Sequence, residues 1–152
     1  WALDAASGRV MKVASNQSFG GTGFSYGDVV RLNFTDNYES VIKSETAEDW
    51  ILGLEAKDRG APYARIELAV SKAGGWPLRG TCYARSGAVV KEMAYSGAGE
   101  IATGRRPLVV SVTSPLDPGS INALTIVSER PLTLPDAAFN KRNLSARMEE
   151  KL

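Results

Sequence analysis

Histidine is absent from the 152 residues. That absence removes the usual general base, the commonest metal ligand and every Ser-His or Cys-His nucleophile pair. Cysteine is nearly as scarce: Cys82 stands alone, so the chain can form no internal disulfide and no zinc site of the usual ligand spacing. Its Thr-Cys-Tyr-Ala surroundings read as strand interior, which makes it a small buried apolar residue. An excess of charge is missing too, since 18 Lys plus Arg face 17 Asp plus Glu. No global field exists to collect a polyanion or an anionic membrane, and nucleic acid is not an expected partner. No apolar run approaches the roughly 20 residues of a membrane helix, so membrane insertion is not expected, and the first residues lack the layout of a signal peptide. The chain begins at Trp1 instead of Met, which leaves room for a removed targeting segment. Carboxylate-only or Lys-Ser chemistry would need a spacing that does not occur. The expectation is a non-enzyme with no catalytic residues, cofactor or metal.

What is present is apolar material for one core. With 43% hydrophobic residues, a chain of this length folds as one ordinary domain without staples. The pattern is organised around Trp50 to Ser71, where two runs alternate with period two. Trp50, Leu52, Leu54 and Ala56 share one face of the first run, and Ala64, Ile66, Leu68 and Val70 share one face of the second. Asp58 to Pro62 connect them, because Gly60 tolerates positive φ and Pro62 lacks a ladder donor. This predicts a β-hairpin with one buried face.

Residues 1–8 read as a loop or arm in which the Trp1 indole seeks burial against a neighbour, and Arg9 to Ser15 suits a first strand. The glycine-rich run Ser18 to Gly27 lacks the Lys-Ser/Thr of a Walker loop and does not open a helix that could receive a pyrophosphate. It reads as a loop entering a strand over Val29 to Phe34, with Val30, Leu32 and Phe34 facing in. Phe24 and Tyr26 in that loop, Trp76 in the Gly/Pro-rich connection over residues 73–80, and Tyr83 are the candidate platform for stacking on a sugar ring. Further strands are expected at Val41-Ile42, Thr81 to Arg85, Ala88 to Tyr95, Pro107 to Thr113 and Ile121 to Ser128, with a loop over Ser96 to Arg106. Arg105 and Arg106, joined by Arg79 and Arg85 if strand pairing brings them together, are the nearest thing to a basic patch. Their forks suit a carboxylate or phosphate, with plain solvation as the alternative. From Leu134 the character changes. Pro135 and Asp136 suit a helix start, and Leu144, Met148 and Leu152 lie on one helical face, so a C-terminal helix is expected over residues 134–152, after a β-domain over residues 1–133.

Short strands at turn-marked intervals followed by one helix predict an all-β fold, an antiparallel β-sandwich or jelly-roll-like barrel with a C-terminal α-helix. Gly27 to Phe34, Glu48 to Leu54 and Leu108 to Val112 resemble segments of β-sandwich modules in tailed-phage baseplate and tail-fibre structural proteins. The resemblance implies a non-catalytic virion component, a homo-oligomer that attaches to neighbouring subunits. Trp1, Leu144, Met148 and Leu152 would be its partner-binding residues. The alternative is a secreted or cell-surface carbohydrate-binding module that uses the exposed aromatics on a glycan.

Overall fold

The computed structural model describes residues 2–4 and 7–143, in two compact units, residues 15–129 and residues 1–14 with 130–152. In the terminal unit β1 (Ala2–Asp4) pairs antiparallel with β2 (Arg9–Met11). Over the described part of the expected C-terminal helix, Asp136–Phe139 and Lys141–Asn143 form short 3-10 turns, and residues 144–152 of that helix lie outside the described residues. Asn140 between them is extended, and its side-chain oxygen accepts from the Arg142 N–H at 3.0 Å. A local side-chain bond of this kind competes with helix propagation. The partner-binding residues proposed at Trp1, Leu144, Met148 and Leu152 lie outside the described residues.

The larger unit is built on β3 (Tyr38–Glu45), β4 (Asp49–Ala56), β5 (Arg65–Ser71), β6 (Pro77–Tyr83), β7 (Val89–Ile101), β8 (Gly104–Ser114) and β9 (Asp117–Thr125). Each strand pairs antiparallel with the next, giving one open seven-stranded sheet with β3 and β9 at its edges. The central hairpin forms in the expected register, with Trp50 opposite Val70, Leu52 opposite Leu68 and Leu54 opposite Ile66. Because side chains alternate along a strand, the register continues that apolar face across the sheet. Tyr38 stands opposite Ala56, Ile66 opposite Cys82, Cys82 opposite Lys91, Met93 opposite Val112, and Val110 opposite Leu124. Leu54, Ile66, Cys82 and Val112 are the most completely buried of them. The other face carries polar rows such as Glu55–Arg65 and Thr81–Glu92–Thr113. There the Lys43 stem crosses Gly53 to reach Glu67 at 3.4 Å. A sheet with one apolar and one polar face must be covered on one side only.

Two stretches depart from the sequence reading. Ser96 to Arg106 is not a loop: β7 and β8 continue through it as a hairpin, with Glu100 opposite Arg105 and a turn at Ala102 and Thr103. Its small residues hid the strand, and Gly97 absorbs a φ of +64° that a side chain would resist. Val29 to Phe34 is not a strand either. Gly27–Arg31 forms one wide helical turn, and α1 (Phe34–Asn37) follows it. Val30, expected inside, is 71% exposed, while Leu32 and Phe34 do pack on the core.

Capping chemistry explains this local outcome. Ser25 donates its N–H to Asp28 Oδ2 at 2.7 Å and its hydroxyl to the same oxygen at 2.9 Å, and it accepts from the Asp28 N–H at 3.2 Å. Asn33 Oδ1 accepts from the N–H groups of Thr35 and Asp36 at 3.0 and 3.1 Å, closing the start of α1. Such caps satisfy donors that a helix start leaves open and outweigh the β preference of a Val-Val pair. Asp28 also anchors the segment to the sheet, since it accepts from Lys91 Nζ and from the Tyr63 hydroxyl. The Asp28 and Lys91 side chains are 3% and 10% exposed. Removing one partner of a buried pair leaves the other charge uncompensated at a cost of about 3–5 kcal/mol. Urea unfolding of Asp28→Ala and Lys91→Met is therefore expected to show losses of that size. The double variant Asp28→Ala/Lys91→Met should lose less than their sum, and simple additivity would count against a coupled pair.

Candidate functional site

The segment from Phe24 to Asn37 covers the apolar face incompletely. Between it and the sheet lies a cleft of about 330 Å³, lined by Phe24, Val29, Leu32 and Phe34 from the segment and by Met93, Tyr95, Val110 and Leu124 from β7, β8 and β9. Asp28 and Arg106 are the charged groups in its wall. Asp28 is already engaged by Lys91, Tyr63 and Ser25, so its charge is answered within the protein. Arg106 is about half exposed and holds Glu129 at 3.3 Å, and Glu129 also accepts from the Thr103 hydroxyl at 2.9 Å. An apolar slot of a few hundred cubic ångströms with a few polar groups in its wall has the usual make-up of a small-molecule pocket.

The residues singled out in the sequence scatter over this frame. Phe24 is 6% exposed and sits in the core, so it is no platform for a sugar. Tyr26 is half-buried and meets Phe19 edge-on, with ring centroids 5.2 Å apart. Trp76 lies across Gly74, where a Cβ would come within 2.5 Å of the indole. Tyr83 lies on the polar face under the Arg65 guanidinium, 3.7 Å from its ring centroid. The stacking surface is thus not assembled, because each ring is spent on a neighbour inside the fold. Arg105 and Arg106 are paired with Glu100 by strand register and with Glu129 by contact. Of the residues proposed for a ligand, Phe24 and Arg106 both line the cleft.

Asp28 and Lys91 escaped the sequence reading, although signals for both were present. Ser25-Tyr-Gly-Asp28 matches the Ser/Thr-x-x-Asp/Glu spacing of a capping box. Lys91 shares the inward parity of Met93 and Tyr95, and a lysine on an apolar face implies a buried acid opposite. Among the described residues no group of three or more His, Cys, Asp or Glu is placed to hold a metal ion, and no helix is long and apolar enough to cross a membrane.

Burial sets the titration of the neighbouring acids. The Tyr63 hydroxyl is pushed above the usual phenol range by burial and then by the Asp28 carboxylate, and burial likewise raises Tyr95. Tyr38 is raised to about 12, chiefly by burial, although the Tyr63 backbone N–H that donates to its oxygen works the other way. Cys82 is raised to about 12 by burial and Asp28, with Lys91 opposing. A raised acid holds its proton in the folded chain after the unfolded chain has released it, so stability falls as pH rises past the unfolded value. Those unfolded values are 9.0 for Cys82 and 10.0 for the tyrosines. Thermal unfolding followed from pH 7 to 11 should therefore show no loss from these groups at neutral pH, a small one above 9.0 and a steep one above 10.0. Flat stability across that range would contradict the burial of these four groups.

The sheet and its covering segment define a class. The fold is that of a LolA-superfamily protein from Nitrosomonas europaea, matched at a TM-score of 0.82 and 23% identity over 95% of this chain and 67% of that one. A DUF1329-family protein from Desulfovibrio piger matches at 0.67 and 24% over 90% and 59%. A Vibrio parahaemolyticus protein provisionally described as an outer membrane lipoprotein-sorting protein domain matches at 0.67 and 18% over 93% and 63%. The chain spans about two thirds or less of the length of these structures. It belongs to the family whose model, described as an uncharacterized protein, matches residues 1–146. No curated protein matches the chain. These likenesses overturn the resemblance to phage baseplate and tail-fibre modules, and with it the virion role and virion location. The quoted segments misled because Gly27 to Phe34 has the alternation of a strand yet folds as helical turns.

Proposed function

We propose that the protein is a non-catalytic carrier that holds the acyl chain of a lipid or lipid-modified protein in the cleft between the Phe24 to Asn37 segment and the sheet. The carrying observation is the cleft itself: eight apolar or aromatic side chains line it, and its one partly exposed charge is Arg106. Hydrocarbon in such a slot gains about 0.8 kcal/mol for each methylene removed from water. Arg106 suits a carboxylate or ester oxygen at the head of the chain, in competition with Glu129. The description of the Vibrio parahaemolyticus neighbour as an outer membrane lipoprotein-sorting domain supports this reading. By that analogy the carrier works beside the outer membrane of a bacterial envelope.

Displacement of a fluorescent fatty acid by saturated acids of increasing length tests the proposal. Affinity should rise about fourfold per added methylene until the cleft is full, then level off. Leu124→Trp, which fills the slot, should abolish displacement, whereas Val127→Ser on an exposed position should not affect it. Affinity independent of chain length, or binding unaltered by Leu124→Trp, would refute an acyl-chain site.

A further inference from the structure

A second groove, of about 700 Å³, opens in the larger unit away from the acyl cleft's lining. Its walls come from six places in the chain: Ser15 and Asn16, Ser25, the β4–β5 connection from Arg59 to Ala64, the β6–β7 turn at Ala84 and Arg85, Val90 and Lys91 of β7, and Leu116 at the β8–β9 turn. Lys91, Tyr63 and Ser25 form part of the wall, but these groups are already tied to Asp28. No aspartate or glutamate lines the groove. The nearest acid in sequence, Asp58, spends one carboxylate oxygen on the Gly60 N–H at 2.6 Å.

Arg59 and Arg85 set this groove apart. Both are exposed, and neither takes part in any of the four ion pairs formed among the described residues. The cationic side chains at those four pairs, Lys43, Lys72, Lys91 and Arg106, each meet a carboxylate. Two guanidinium forks without a carboxylate partner, facing one groove, suit a phosphate with several acceptor oxygens. The rest of the wall is apolar, from Ala61, Pro62, Ala64, Ala84, Val90 and Leu116, and Leu116 is 83% exposed at its turn. A groove of this size exceeds the needs of one inorganic ion.

We infer that this groove is a binding site for a phosphate ester, with Arg59 and Arg85 on the phosphate and Leu116, Pro62 and Val90 against an attached apolar group. It does not depend on the acyl cleft. The attached apolar group separates such an ester from free phosphate by its need for Leu116.

Calorimetric titration at low ionic strength, where charge pairing is least screened, uses inorganic phosphate, glycerol 3-phosphate and monomeric dihexanoyl phosphatidic acid as probes. A lipid source requires the phosphatidic acid to bind about tenfold or more tighter than inorganic phosphate, and Leu116→Ser to erase that advantage. Equal affinities for all three, unaltered by Leu116→Ser, would overturn a phosphate-ester site. Arg59→Gln/Arg85→Gln should weaken binding of the phosphatidic acid about tenfold or more, while leaving the melting temperature and fatty-acid displacement at the cleft unchanged. Absence of saturable binding by all three probes, or affinity indifferent to Arg59→Gln/Arg85→Gln, would overturn the site. Loss of fatty-acid displacement in the unmodified protein bears on the acyl cleft alone.

Discussion

A single buried carboxylate holds the larger unit in its form. Asp28 accepts four hydrogen bonds, two from Ser25, one from Tyr63 and one from Lys91, at a point where water is nearly excluded. Burying two charges is costly, and their attraction offsets that cost only when the remaining hydrogen-bonding positions are filled. Here they are filled from three separate parts of the chain, so the carboxylate fixes more than a contact. It sets where the Phe24 to Asn37 segment lies on the sheet, and no buried side-chain nitrogen or oxygen in the described residues is left without a partner.

The consequence is a division of the apolar face into filled and open parts. Near Asp28, Phe24 and Tyr63 close over Ile66, Cys82 and Met93, and every side chain there is buried. Beyond the helical turn, Leu32 and Phe34 stand off from Val110 and Leu124 and leave a slot. Close packing is the rule for protein interiors. A gap lined by hydrocarbon next to a rigidly pinned segment is thus a feature maintained by the anchor. The anchor is polar, specific in position and set to one side, so the slot keeps an apolar lining without losing its cover.

Much of the sheet was legible in the sequence because its signal is local. Strict alternation in Trp50 to Val70 and in Leu108 to Val112 named the inward residues correctly, and the turn residues marked most boundaries. Where the reading failed, a polar side chain had replaced the pattern as the deciding term. Val29-Val30 alternates like a strand, yet Ser25, Asp28 and Asn33 cap two helical turns across it. The candidate site was harder to see, since its lining comes from the segment after Gly23 and from three strands more than fifty residues away. Aromatic residues drew attention as recognition groups, but most of them serve the fold: Tyr38 and Tyr63 bond each other through hydroxyl and backbone, and Phe24 fills the core.

An apolar slot beside an arginine is equipped to hold the chain and the head of an amphiphile. The most direct test of that conclusion is a crystal structure of the protein grown with dodecanoic acid. Continuous density for the chain between Leu32, Phe34, Val110 and Leu124, with the carboxylate at hydrogen-bond distance from Arg106, is the expected result. A cleft that is closed, or one that holds only ordered water while the acid sits elsewhere, would contradict a carrier role for this face of the sheet.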